Sequence, residues 1–287
     1  MSLLLEKNLS AYNISLRNKM SDLSFCKACQ YGKQHILSFK SSETKTTSAL
    51  EIIHSDLWGA APTISNQGFR YYIAFIDDKI SYTWIYGLTH KSQALTTFIT
   101  FKNQIEKSLD LKIKALQHDM GGEYKAFETY LKHEGISLRY SCQYTHHQNR
   151  KAERKHIHLI ETGLTLISQA NLPLKFWWEA FSNATYLINR TSTHILNDKI
   201  SFEVLYSKKP NYSIIKIFGC ECYLFLRPYK NHKFSFHTSK CVNLGFNHTH
   251  KGYMCLNSNG RIYIAAHVNF NESFFLFQTN PEFINSK

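Results

Sequence analysis

Between residues 49 and 190 the hydrophobic period of the sequence changes in a fixed order, and that order limits the folds open to the chain. "LEIIHSDLWG", "FRYYIAFIDD" and "SYTWIYGL" are β-branched and aromatic runs, the last two joined by Asp77-Asp78-Lys79-Ile80, which reads as a hairpin turn. "KSQALTTFITFKNQIEKSL" then sets Leu95, Phe98, Ile99, Phe101 and Ile105 at helical spacing. "LKIKALQ" returns to strand alternation, with Ile113, Ala115 and Gln117 on one face and Lys112, Lys114 and Leu116 on the other. A short helix over 125–134, a fifth strand in "ISLRYS" and a long helix from Lys151 to Gln169 follow. A second helix runs through "LPLKFWWEAFSNATYLINR", with Pro173 at its start. The order β-β-β-α-β-α-β-α-α is that of an α/β fold, a mixed five-stranded sheet with helices on both faces.

After residue 200 the pattern breaks into short strand-like runs, "IKIFGCECYLFLRP", "SKCVNLGFN", "GYMCLN" and "GRIYIAAHVNFNE", divided by Gly, Asn and Pro. These read as a small β-barrel. The stretch 40–48, "KSSETKTTS", is small and polar and reads as a linker. No run approaches 18 apolar residues, so no membrane span is expected. The first residues lack a signal peptide's basic start and long apolar stretch, so an intracellular product is expected.

Three acids stand where these elements end or begin. Asp56 closes the first strand, Asp119 follows the fourth directly before Gly121-Gly122, and Glu153 falls in the first turn of the long helix. Convergent carboxylates suit hard divalent cations, which prefer oxygen ligands and relieve the repulsion between the acids. Two such ions activate an attacking oxygen and stabilise the leaving oxygen of a phosphodiester. Each acid also has a plainer reading: a turn residue for Asp56 and Asp119, a favourable helix-dipole charge for Glu153. Asp77 and Asp78 are assigned to the hairpin turn.

Charge points to the same class of partner. With 34 Lys and Arg against 21 Asp and Glu, the chain carries a formal net charge of +13, which favours a polyanion, nucleic acid first. Around the proposed site, Arg139, Arg150, Lys151, Arg154 and Lys155 stand against Glu153 alone and read as contacts to DNA phosphates. His146, His147, His156 and His158 are read as DNA-facing or solvated, and His158 is taken with the basic set. The aromatics Phe176, Trp177, Trp178 and Phe181 are assigned to the core. Seven cysteines, an odd number, argue against a disulfide framework, and only Cys26-Lys27-Ala28-Cys29 has the spacing of a zinc knuckle.

Three stretches carry a family resemblance: "HSDLWG…GFRYYIAFIDDKISYTWIY", "HDMGGEY" and "GISLRYSCQYTHHQNRKAERKH". In order and spacing they resemble the integrase core of Copia-type long-terminal-repeat retrotransposons. That pattern reads H-x-D-x-x-G, then S-D-N-G-G-E-F, then S-C-P-Y-T-P-Q-Q-N-G-V-A-E-R-K. "FCKACQYGKQHILSF" is similar to the end of the gag-pre-integrase zinc module, and residues 201–272 to the SH3-like segment behind the core.

The resemblance implies an RNase H-like core over 49–190, a connecting segment over 191–215, an SH3-like barrel over 216–275 and a tail over 276–287. Ahead of them it implies a truncated zinc-module remnant over 1–40 and a linker over 41–48. Asp56, Asp119 and Glu153 become the metal-binding triad, using two Mg²⁺ or Mn²⁺ ions to trim element DNA ends and join them to target DNA. Double-stranded DNA is then the partner, a homo-oligomer the working form and the nucleus the expected location.

The sequence departs from the family in several places. Residues 1–25 hold neither His nor Cys, so Cys26 and Cys29 lack the upstream half of a four-ligand site. With His35 the one further candidate, no closed zinc site is expected. Gln117-His118 and Met120 replace the family's Arg-Ser and Asn, and Gln143, His146 and Arg150 replace two prolines and a glycine. Those changes favour an alternative, a catalytically impaired DNA-binding remnant or domesticated binder of the same fold.

Overall fold

The structure, a computed structural model, describes residues 46–118, 122–140, 150–225, 237–247, 249–281 and 283, and not the side chains of Glu123, Tyr140 and Arg150. Cys26, Cys29, His35, Asp119, Met120, Cys142 and the loop histidines His146 and His147 lie outside the described residues. Everything described belongs to one compact unit, Thr44–Lys287.

Strand β1 (Ile52–Gly59) pairs antiparallel with β2 (Tyr71–Asp77), and β2 with β3 (Thr83–Leu88). On its other side β1 pairs parallel with β4 (Ala115–His118), and β4 with β5 (Ser137–Tyr140), giving the order β3-β2-β1-β4-β5. Helix α1 (Ala94–Leu109) links β3 to β4, and α2 (Lys125–His133) links β4 to β5, as parallel neighbours require a crossover. The long α3 (Arg150–Ala170) and α4 (Trp177–Ile188) follow.

Apolar residues along β2 are nearly continuous because both faces of the strand are covered. Ile73 and Phe75 point to α1 and α2, packing with Phe98, Phe101 and Phe127, and Phe75 stacks on Phe101 at 4.4 Å between centroids. Tyr72, Ala74 and Ile76 point the other way, onto Ala152 and Leu159 of α3 and Trp177, Ala180 and Phe181 of α4. Phe176, Trp177 and Phe181 are core residues, as their spacing indicates, and Trp178 packs edge-on against Phe69. At the sheet edge the Asn189 side chain accepts from Thr83 N at 2.9 Å and donates to Thr83 O at 2.7 Å, a substitute for a neighbouring strand.

A two-residue ribbon, β6 (Ser192–Thr193) with β7 (Lys199–Ile200), and the short α5 (Ser201–Tyr206) lead to the C-terminal sheet. That SH3-like barrel is built from β8 (Glu221–Phe225), β9 (Thr238–Asn247), β10 (Gly252–Asn257), β11 (Ile262–Ala265) and β12 (Val268–Asn271). Its order is β11-β10-β9-β8-β12 with antiparallel pairing throughout, and the short α6 (Leu276–Thr279) follows. The apolar cluster behind the first sheet continues into Val242, Leu244 and Leu256 of this barrel. Asn183 of α4 donates to Leu244 O at 2.9 Å, and Gly245, at φ +103°, leaves the space that its amide fills.

The strand expected over 111–117 begins only at Ala115. Leu116 is buried although it was placed on the same face as two lysines, because β4 is covered on both faces between β1 and β5. Asp77 is wholly buried at the end of β2, where its carboxylate accepts from Leu50 N at 2.7 Å and Ile80 N at 2.8 Å. It closes the hairpin turn and also anchors the chain ahead of β1.

Candidate active site and basic face

Strand alternation along β1 sends Ser55 toward α2 and Asp56 toward α3. The Asp56 side chain is half-buried, and its Oδ2 lies 4.0 Å from Nδ1 of His156 on α3. Glu153 sits three residues earlier in the same helix, one turn back on the same side and in the first turn. Asp56 and Glu153, named from sequence alone, therefore stand on neighbouring elements that are in contact.

His156 is neither DNA-facing nor solvated, as its neighbourhood in sequence had implied. Its side chain is 12% exposed, stacked on Tyr72 at 5.2 Å and tilted against Trp58. Burial pushes its pKa down to about 4, so at neutral pH the ring is uncharged. Burial, with Asp56 beside it, raises the Tyr72 phenol well above its ordinary value, and its hydroxyl lies 3.0 Å from His156 Nδ1.

The residues immediately before each strand acid are tied together. Ser55, adjacent to Asp56, shares a 2.8 Å hydrogen bond with the Tyr124 hydroxyl. The Tyr124 ring stacks on His118, the last residue of β4, at 4.0 Å and 10°. His118 stands where the family has serine, and its ring fills a buried position against Tyr124.

A second network was not legible in sequence. His54 Nε2 donates to Asp78 Oδ1 at 2.9 Å, Thr46 Oγ1 donates to Asp78 Oδ2 at 2.8 Å, and Lys151 reaches Asp78 Oδ1 at 3.0 Å. Lys151 also donates to the Asp78 carbonyl. This joins β1, the β2–β3 turn and the start of α3, so Lys151, assigned to DNA, spends part of its charge inside the protein. His54, with Lys151 beside it, holds the Asp78 carboxyl well below the usual carboxylate range despite burial.

A carboxylate depressed in the fold stabilises it above the unfolded pKa and loses that contribution as pH falls through the folded value. Asp78→Asn is therefore expected to cost about 1–3 kcal/mol at neutral pH. Denaturant melts of both proteins down the pH scale should converge under acid, and a gap that widens there would contradict the assignment.

Lys151, Arg154, Lys155 and His158 follow the i, i+3, i+4, i+7 stripe of α3, and the helical period turns that stripe away from Glu153. Burial, and Lys151 alongside, lower the Lys155 pKa to about 8. Arg139 comes from a different element, the edge strand β5, where its side chain is exposed. Among the described residues no group of three or more His, Cys, Asp or Glu is placed to hold a metal ion. Cys220, Cys222, Cys241 and Cys255 are free and buried in the C-terminal region, and no described helix is long and apolar enough to cross a membrane.

An RNase H-like sheet flanked by helices, followed by an SH3-like barrel, defines the integrase class of fold. A chain of the simian T-cell lymphotropic virus intasome, solved with PP2A regulatory subunit B56 gamma, shares it at a TM-score of 0.50 and 16% identity, over 94% of this chain and 90% of that one. Residues 220–283 match the model of the retroviral polymerase SH3-like domain. The chain is a homologue of the retrovirus-related Pol polyproteins of plant transposons. It is 40% identical over 275 residues to that from transposon RE1 of Arabidopsis thaliana, which is 96% of this chain and 19% of that protein. Against transposon TNT 1-94 of Nicotiana tabacum it is 31% identical over 255 residues, 88% of this chain and again 19% of the polyprotein. The chain thus spans 19% of the length of these curated relatives.

Proposed function

We propose that the chain is the integrase region of a Copia-type retrotransposon, processing DNA ends and joining them to target DNA. Asp56, Asp119 and Glu153 are its acidic triad. The observation that carries this reading is the approach of Asp56 on β1 to the first turns of α3, where Glu153 stands. The register of β1 on β4 sets His54 opposite Gln117, and each acid lies two positions further along its own sequence. The donors are carboxylates, which fit hard divalent cations, and the neutral His156 beside Asp56 brings no competing positive charge. Mg²⁺ or Mn²⁺, when held there, supplies Lewis-acid charge to the attacking and leaving oxygens.

The protein's part is then to aim and to bind. Ser55, Tyr124 and His118 brace the strand ends, and Trp58, Tyr72 and His156 form an apolar floor that limits water beside Asp56. Basic residues of α3, with Arg139 and Arg150, draw in the DNA backbone. The core over 49–190 and the barrel over 216–275 form its working layout, acting as a multimer in the nucleus.

One observation favours the catalytically impaired reading: His118, a bulky buried ring directly before Asp119, in place of the family's serine. A Mn²⁺-dependent joining assay on a short duplex separates the two. The native chain should join ends and Asp119→Asn should not, while equal signals from both would end the enzyme reading. In either case duplex affinity should fall steeply with salt, and salt-indifferent binding would exclude phosphate contacts by α3.

A further inference from the structure

The basic stripe of α3 does not face open solvent along its whole length. Lys151, Arg154, Lys155 and His158 form one wall of a pocket of about 240 Å³. The opposite wall comes from the segment after α4, with Thr191, Ser192 and Thr193, and its floor from Ile76 and Ser81 of the β2–β3 hairpin. None of these opposing residues is acidic. This enclosure is invisible to local sequence reading, since the basic stripe and the 191–193 segment lie more than thirty positions apart in the chain.

Two features of the pocket are incomplete without a ligand. Ser81 is 4% exposed, and its hydroxyl is buried with no hydrogen-bond partner, which proteins seldom leave so. Lys155 has no carboxylate partner among the described residues, whereas Asp78 already balances Lys151. A single carboxylate would answer one charge with two oxygens. A phosphate brings up to two charges and several acceptor oxygens, matching cations on one wall and neutral hydroxyl donors on the others.

We propose that this pocket, enclosed by α3, Ser81 and the 191–193 segment, is a seat for one phosphate group, separate from the carboxylates Asp56 and Glu153. It rests on the reading of α3 as a phosphate-facing helix, and not on the carboxylate chemistry. The phosphate belongs either to a nucleic-acid backbone anchored away from the acids or to a free phosphorylated compound.

Calorimetry with inorganic diphosphate at low salt, on the full chain, tests it. The native chain should bind, and Ser81→Ala, which changes no charge, should weaken binding about tenfold. Lys155→Gln should weaken it at least as much, and the exposed Ser192→Ala serves should the buried substitution impair folding. A fluorescent duplex in parallel identifies the source. Displacement by diphosphate, with weaker duplex binding in Ser81→Ala, supports a backbone phosphate; diphosphate binding with duplex affinity unchanged in Ser81→Ala supports a free compound. Salt-dependent duplex binding with no diphosphate binding would overturn the seat while leaving the DNA reading intact. Native-like diphosphate binding in all three variants would overturn it too.

Discussion

Asp56→Asn is expected to lower Mn²⁺-dependent DNA joining by about a hundred- to ten-thousandfold while leaving duplex binding and thermal stability close to native. The magnitude follows from several kcal/mol of transition-state charge stabilisation lost with one anionic ligand, at tenfold for each 1.36 kcal/mol. The selectivity follows from the local geometry. An amide has the size of the carboxylate, so the half-buried side chain keeps its place beside His156 and Tyr72. What it loses is charge, and the uncharged His156 offers no compensation there. Glu153→Gln should behave alike. Glu128→Gln, an exposed acid on α2, should leave joining unchanged. Single-turnover joining and duplex titration on the same preparations separate chemistry from binding. Joining retained in Asp56→Asn would remove this acid from the site, and binding lost with it would recast Asp56 as a structural residue.

The elements were legible wherever periodicity had length to work with. Phe98, Phe101 and Ile105 recur at helical spacing, and the structure buries all three on one side of α1. β2 and β3 appear as branched and aromatic runs because a sheet covered on both faces demands apolar residues at nearly every position. β4 was misjudged at its start, since Lys112 and Lys114 mimic the alternation of a half-exposed strand. Of the candidate site, Asp56 and Glu153 were named as separate motif positions, and the structure places them on β1 and α3, two elements in contact.

The supporting side chains were not readable, for a common reason. His156 lay among basic residues and looked solvated, and only the fold shows that it stacks beneath Trp58 on Tyr72. Asp78 looked like a turn acid, and its ties to His54, Thr46 and Lys151 span from 24 to 73 positions. Such bonds carry no period, and their partners are chosen by tertiary approach. A polar residue beside a motif acid therefore has a role that local sequence underdetermines, whereas an apolar residue at the right spacing does not.

The crossing of α3 over α4 is closely packed, and it should fail in a diagnostic way. Gly163 of α3 meets Phe181 of α4, and a Cβ added at Gly163 would overlap the edge of that ring. Phe181 is 2% exposed and wedged among Trp58, Tyr72 and Trp177, so it has nowhere to retreat. Gly163→Ala should therefore destabilise by about 1–3 kcal/mol through overpacking, against the roughly 1 kcal/mol that alanine gains in an ordinary helix. Phe181→Ala should cost about 3–5 kcal/mol through its cavity, or roughly 6–20 °C in melting temperature. Together the two substitutions should cost less than Phe181→Ala alone, because the new methyl group enters the space the ring vacates while the helix regains its propensity. The resulting coupling, about 2–4 kcal/mol in favour of the double variant (the Gly163→Ala cost plus the roughly 1 kcal/mol of regained propensity), is measurable in a denaturant cycle. Strictly additive losses would mean that the two helices do not meet at this point. If the crossing also positions Glu153, Mn²⁺-dependent joining should partly recover in the double variant relative to Gly163→Ala, since the overlap that pushes α3 off the sheet is gone.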